Sequence, residues 1–320
     1  MNTFKWLLRR EFWEHKGGFF WLPIVVGAVM TAFIMVSLLM GVAGLKHGMT
    51  INGVAVSSLV DIVGPGNKAE FASRVVNGYA ALTMPILIAL SICVFFFCLG
   101  TLYDERKDRS VLFWKSLPLS DTATVLSKVA MALGVAPAIA LAAATLTAIV
   151  AAFLICAAAA VAGLNIFGEV LGNSATYLAP VQMAAVLPIY ALWALPTVGW
   201  LLMVSAWSRT KPLLWAIGVP VMTGTLLTWI NAMFQFDWNM GWFWKNIIGR
   251  LLGSILPGSW LGSQGPALPG DEVMRASNAM SDILSHSWQL LAAPNIWIGA
   301  ALGAVMLYAA IRLRGWRDEG

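Results

Sequence analysis

Of 320 residues, 59% are hydrophobic and only 11% charged, far below the roughly 25% charge of soluble domains, so an ordinary soluble fold is excluded. The net charge of +5 comes from Lys and Arg flanking the apolar runs and calls for no nucleic-acid partner. Cys93, Cys98 and Cys156 all fall within such runs at unpaired spacings, as packing residues and not as a metal or redox centre.

Along the chain, residues 1–18 carry Phe4, Leu7, Leu8 and Phe12 on one helical face, with Lys5, Arg9, Arg10 and Lys16 largely elsewhere. Trp6 and Trp13, one heptad apart, suit a headgroup layer. The segment reads either as an interfacial elbow helix or as a simple charged anchor, and Gly17-Gly18 is expected to let the chain turn into the first span.

Six uncharged windows are long enough to cross a bilayer core: about 19–42, 79–101, 129–163, 178–206, 213–234 and 291–311. The first is longer than the apolar core of a removable signal peptide and reads as a retained span. Between the first two, the 43–78 stretch is a loop rich in Gly, Ser and Asn, with a short helix expected over Lys68 to Asn77.

The third window is dense in alanine, which lets helices approach closely in lipid, so it is expected inside the bundle with a kink at Pro137. Pro180, Pro188 and Pro196 in the fourth span and Pro220 in the fifth predict bent or broken helices. Such breaks can line a pathway, with Gln182, Pro188, Pro196 and Asn231 as candidates, although helix packing accounts for them equally well. Residues 235–290 are rich in Trp, Gly and Pro and form an outer segment, with Trp242 to Leu256 expected as a short re-entrant or surface helix stopped by Pro257-Gly258.

With the N-terminus inside, the inner segments hold Lys5, Arg9, Arg10, Lys16, Arg106, Lys107, Arg109, Lys115, Lys128, Arg209, Lys211, Arg312, Arg314 and Arg317. The longer outer segments hold only Lys46, Lys68, Arg74, Lys245, Arg250 and Arg275, which predicts that both termini are cytoplasmic. The windows contain no carboxylate, His, Lys or Arg that would bind a proton or ion, which argues against an ion-coupled carrier. His15, His47 and His286 lie apart outside the windows, and no hydrolase or zinc motif is present. Neither a catalytic residue nor a metal ligand is assigned, and the chain is read as a non-enzyme. A phosphate-binding loop of the Gly-x-x-x-x-Gly-Lys-Ser/Thr type is absent too, so work against a gradient would draw on a partner.

Between the second and third windows, residues 102–128 gather Asp104, Glu105, Arg106, Lys107, Asp108 and Arg109. An amphipathic stretch from Ser110 to Leu117 follows, with Val111, Phe113 and Trp114 free to dock on protein or lipid, and Lys115 beside them. Pro118 ends it, and Ser120 or Asp121 can cap the next helix. From charge alone, a solvated loop and a docking segment both fit.

The order Glu105-Arg106, Ser110-Val111, Leu117-Pro118-Leu119-Ser120 and Lys128 resembles the cytoplasmic segment of ATP-binding-cassette (ABC) transporter permeases of the type-2 exporter superfamily. Trp6, Arg9, Arg10, Glu11 and Trp13 lie in a stretch similar to the amphipathic connecting helix of that family. The 43–78 loop is longer than a minimal permease of this kind needs.

The resemblance implies an all-α polytopic inner-membrane protein: one permease domain over residues 1–320 with six transmembrane helices, an elbow helix, a coupling helix and a Trp-rich outer segment. It further implies pairing with a second permease copy and docking of a separate ATPase subunit, which would bind ATP and Mg. Glu105, Arg106, Lys107, Asp108, Arg109, Phe113, Trp114 and Lys115 would couple to that ATPase. The implied function is export, and neutral spans fit lipid or apolar peptide cargo. The alternatives are a non-transporting membrane scaffold or assembly factor and an ion-coupled secondary carrier.

Overall fold

The computed structural model describes residues 3–47, 49–51, 54–56, 58–64, 66–108, 120–261 and 279–317. Six of its helices are long and apolar enough to cross a bilayer, the build of a multi-pass membrane protein. In chain order, α1 (Thr3–Glu14) leads through a π-helical turn, Gly17–Trp21, into α2 (Leu22–Lys46). Two short strands follow, β1 (Met49–Ile51) and β2 (Val54–Val56), then α3 (Leu59–Val63), α4 (Lys68–Asn77) and α5 (Tyr79–Lys107). After the gap come α6 (Asp121–Ala130), a π turn at Met131–Val135, and α7 (Ala136–Val161). The remainder comprises α8 (Phe167–Gly172), α9 (Ala175–Trp207), α10 (Pro212–Phe234), α11 (Met240–Phe243), α12 (Gly249–Gly253), α13 (Ala279–Gln289) and α14 (Pro294–Arg317).

The spans fall where the apolar windows place them, and the short helix expected over Lys68 to Asn77 is α4. Four other expectations change. Gly17-Gly18 is not a free hinge, because the chain stays helical through its π turn. Gly18 instead leaves room for α5, since a Cβ there would lie 3.3 Å from Cys93 Sγ. The alanine-rich span is not enclosed. Ala136, Ala140, Ala144, Ala148 and Ala151 form one buried stripe facing α2 and α5, while Leu146, Ile149 and Phe153 on the other side are exposed.

α9 and α10 run unbroken through Pro180, Pro188, Pro196 and Pro220, as neighbouring helices and side chains allow in a membrane bundle. Finally, the described residues of the 43–78 stretch are largely in regular structure. β1 and β2 pair antiparallel, the one exception to an all-helical chain among the described residues, and Ser58 with Asp61 closes a capping box on α3. Ala72 and Val76 of α4 then pack with Ile166 and Val170 in and beside α8 and with Cys156 and Ala159 of α7.

The closest helix crossing is α9 on α14. A Cβ on Gly199 would sit 2.6 Å from the Gly303 carbonyl oxygen, and one on Gly303 would sit 2.7 Å from Leu195 O. Glycine at both positions lets the two backbones meet and gain dispersion contacts that lipid cannot supply. The main core fills the space beside this pair with Ile86, Leu90 and Val94 of α5 and Ile189, Leu201 and Leu202 of α9. α2 and α10 are the least buried spans.

Candidate functional site

The helix ends that carry most charge meet in one place. On α1, the amphipathic pattern turns Leu7 and Glu11 inward, while Trp6, Arg9 and Trp13 stay exposed, with the Arg9 guanidinium 5.5 Å from the centre of the Trp6 ring. Glu11 is fully buried because Lys128, near the end of α6, reaches it: Lys128 Nζ lies 2.8 Å from Glu11 Oε1, 2.8 Å from Glu105 Oε1 and 2.7 Å from Thr101 Oγ1. Three acceptors thus match the three hydrogens of the ammonium. Glu105 Oε2 in turn accepts from Arg314 Nη1 at 2.8 Å, and Arg314 Nε donates to Asp121 Oδ1 at 3.0 Å. Arg10 joins from α1, with Nη2 3.5 Å from Glu105 and Nε 2.8 Å from Glu14.

Relative exposures of 0% for Glu11, 1% for Lys128, 5% for Arg314 and 8% for Glu105 make this a desolvated cluster, not a surface network. Such charges persist only when paired, and removal of one partner typically costs about 3–5 kcal/mol. Four elements are tied by it: α1, the end of α5, α6 through both Asp121 and Lys128, and the last turns of α14. Both ends of the described chain therefore lie at the same end of the bundle. Ser120 caps α6, its hydroxyl accepting from Ala123 N at 3.1 Å, which leaves Asp121 free for Arg314.

The expected coupling residues divide into three groups. Glu105 belongs to the buried cluster. Arg106 faces inward too: its Nη2 donates to Ser208 O at 3.0 Å and also to Ser205 O, so a cation sits on the last carbonyls of α9 and staples α5 to it. Lys107 and Asp108 are exposed at the end of α5. Arg109, Phe113, Trp114 and Lys115, with the whole Ser110 to Leu117 stretch, lie outside the described residues.

The four pathway candidates do not converge. Gln182 is half-buried beside a pocket at the opposite end, Pro188 is exposed on α9, and Pro196 is buried at the crossing with α14. Asn231 closes the end of α10, bonding Trp238 through both its amide atoms at 3.0 and 3.3 Å. A cleft of about 860 Å³ does open between α5 and α10, lined by Phe96, Leu99, Tyr103 and Ile217, with Asp104 and Lys211 beside them.

Residues 240–261 are inserted between spans. Ile255 O accepts from Ser91 Oγ at 3.1 Å and from Tyr190 OH at 3.0 Å, and Trp193 Nε1 donates to Ser259 Oγ at 3.0 Å. Ser91 is twelve residues into α5, about 18 Å from its start. The segment therefore reaches roughly halfway along the spans, where side chains satisfy a carbonyl that water would otherwise hydrate. Arg250 accompanies it, with Cζ 4.2 Å from the centre of the Trp193 ring and Nη1 2.7 Å from Asn295 O.

Glu11, Glu14 and His15 present ligand atoms within 4.8 Å of one another. Lys128 and Arg10 already neutralise the two carboxylates, so a metal ion would have to displace fixed cations.

Sequence reasoning marked Glu11, Glu105 and Lys128 but missed their convergence, and it counted Arg314 only as an inner-facing charge. The Glu105–Arg314 pair is 209 positions apart and has no local signature. The signal that could have suggested it was the i, i+4 placement of Leu7 and Glu11, which puts a carboxylate on the apolar face of α1. No protein-family model, no curated protein and no solved structure matches this chain.

Proposed function

We propose that this chain is the membrane-spanning permease subunit of an ATP-driven ABC exporter, paired with a second permease copy and powered by a separate ATPase that binds ATP and Mg. The observation that carries the reading is the buried charge cluster. It links α1, the root of the 102–121 hinge and the final helix into one unit, as a device that moves spans from one end of the bundle would require. The order of motif residues from Glu105 to Lys128 supports the same assignment.

In this reading the ATPase docks at the exposed Lys107 and Asp108 and along the hinge through Arg109, Phe113, Trp114 and Lys115. Glu105 and Arg106 then carry the displacement inward, Glu105 through Lys128 and Arg314 to α1 and α14, and Arg106 through the end of α9. Packed cores and ion pairs switch between discrete arrangements more readily than they stretch, so a push on one member moves the set. α1 serves as the elbow helix, both termini lie in the cytoplasm, and the membrane is the cell's inner membrane. The inserted 240–261 segment is a re-entrant element on the outer side, and the α5/α10 cleft is a place for apolar cargo to enter.

The test is affinity capture of the tagged chain from native membranes in mild detergent, with mass spectrometry of what accompanies it. A stoichiometric ATPase bearing a phosphate-binding loop, released by charge reversal at Lys107 and Asp108, is the expected result. Capture of the intact chain alone, with solute flux by the purified chain under a proton or sodium gradient, would reject the reading in favour of a carrier; capture alone without flux would favour a scaffold.

A further inference from the structure

The cleft between α5 and α10 opens at the end of the bundle where the charge cluster lies, since Asp104 on its rim directly precedes Glu105. From Phe96 to Asp104 it runs about 12 Å along α5, and its volume of about 860 Å³ is that of a site for a whole small ligand. The part farthest from the rim is walled by Phe96, Leu99 and Ile217; Phe96 and Ile217 are exposed, so the cleft is open sideways to lipid. The rim carries Asp104 from α5 and Lys211 from just ahead of α10, both exposed and opposite in charge. Two glycines shape the space. A Cβ on Gly100 would sit 2.8 Å from Asp104 Oδ2, so the carboxylate lies back along α5 where a side chain would otherwise stand. A Cβ on Gly218 would meet nothing within 4 Å, which leaves the α10 wall open. Lys211 itself holds φ 47°, a left-handed conformation that glycine adopts at less cost, and such backbone gathers at ligand clamps.

We infer that this cleft holds a zwitterionic phospholipid with a primary-ammonium head, of the phosphatidylethanolamine type. Its ammonium meets Asp104, its phosphate meets Lys211, and its chains lie along Phe96, Leu99 and Ile217. A carboxylate takes charge-assisted hydrogen bonds from an ammonium, and lysine serves phosphate as a point charge. A head with only a negative charge would face repulsion from Asp104, and one with only a positive charge would face it from Lys211. The depth agrees. Trp207 and Trp215, four residues to either side of Lys211, are exposed and pack edge to face with centroids 5.1 Å apart, and tryptophan favours the headgroup layer. The charged rim thus lies at that level with apolar walls beneath it, the order a lipid keeps in a leaflet. As cargo this lipid rests on the exporter reading, whereas its binding needs no ATPase, so lipid labelling and ATPase capture fail separately.

The probes are two phospholipids with the same diazirine-bearing acyl chain, one with an ethanolamine head and one with a glycerol head, each photolysed with the full-length chain in dodecyl maltoside micelles. Peptide mass spectrometry then locates the adducts. The expected result is saturable labelling by the ethanolamine probe within residues 96–104 and 211–218, displaced by excess unlabelled phosphatidylethanolamine. The anionic glycerol probe should label there about three- to fivefold less, the effect of one exposed ionic contact. Asp104→Asn should bring the two probes to near parity. Lys211→Gly should weaken both, since both carry phosphate, while leaving the thermal midpoint unchanged or raised because the backbone strain is relieved. Gly218→Leu should fill the cleft and abolish labelling of residues 96–104. Equal labelling of the wild-type chain by the two probes, or non-saturable labelling spread over lipid-facing positions such as Phe33 and Leu39 of α2, overturns the site. The comparison of the two heads on the wild-type chain decides the matter if a variant does not fold.

Discussion

Replacing Lys128 by Met removes the ammonium that Glu11 and Glu105 share and keeps a side chain of similar length. Glu11 would lose the cation 2.8 Å from its Oε1, and its Oε2 already has no hydrogen-bond partner among the described residues. Glu105 would retain Arg314 and, at 3.5 Å, Arg10. The larger penalty therefore falls on Glu11, and the expected loss is about 3–5 kcal/mol. At roughly 2 °C per kcal/mol for a chain of this size, the thermal midpoint should fall by about 6–10 °C.

Cys98 and Cys156 are buried and Cys93 is partly so, so a thiol-reactive dye reports unfolding in detergent without an added label. Adding Glu11→Gln to Lys128→Met removes the orphaned charge and should recover at least half of the loss, a non-additivity expected of groups in direct contact. If Lys128→Met shifts the midpoint by less than about 1 °C, or Glu11→Gln deepens its effect, the cluster is not the buried network described.

Gly199→Val would drive a side chain into the Gly303 carbonyl, and fluorescence-detected size exclusion should show loss of most of the monodisperse peak. Tyr190→Phe leaves Ile255 O with its Ser91 bond and should cost about 1 kcal/mol. Adding Ser91→Ala leaves that carbonyl unsatisfied and should cost more than the two single changes summed, read by the same thermal assay. Arg106→Glu should lower thermal stability and, in the proposed exporter, substrate-linked ATP turnover, since it unpins α5 from the Ser205 and Ser208 carbonyls. The pair Lys107→Glu and Asp108→Lys should lower turnover while leaving the thermal midpoint within about 1 °C.

What was legible in the sequence is what depends on nearby residues. The spans follow from uncharged length, and the Ser120 cap from a hydroxyl placed just ahead of a helix. Of the bends or breaks expected at the prolines, no break occurs, because the backbone group a proline frees can be satisfied by neighbouring helices and hydroxyls that no local window contains. The alanine-rich span misled for a related reason. Composition shows that close approach is possible, but only the phase of Ala136, Ala140 and Ala144 shows that one side alone makes it.

At the site, charge type was legible and partnership was not. Lys128 and Glu105 stand out as charges at the edges of apolar runs, yet whether each faces water or a counter-ion depends on where α1 and α14 lie. Arg106 looked like a docking residue for the same reason, although its guanidinium caps α9.

In the proposed exporter an ATPase meets the end of the bundle where the charge cluster lies. The most direct measurement places a photo-crosslinking amino acid at position 107 and, as a control, at position 231 near the opposite end, followed by irradiation of whole cells and mass spectrometry of the adducts. A protein bearing a phosphate-binding loop, captured at 107 and absent at 231, is the predicted result. No adduct at 107, or the same adducts at both positions, would contradict the account.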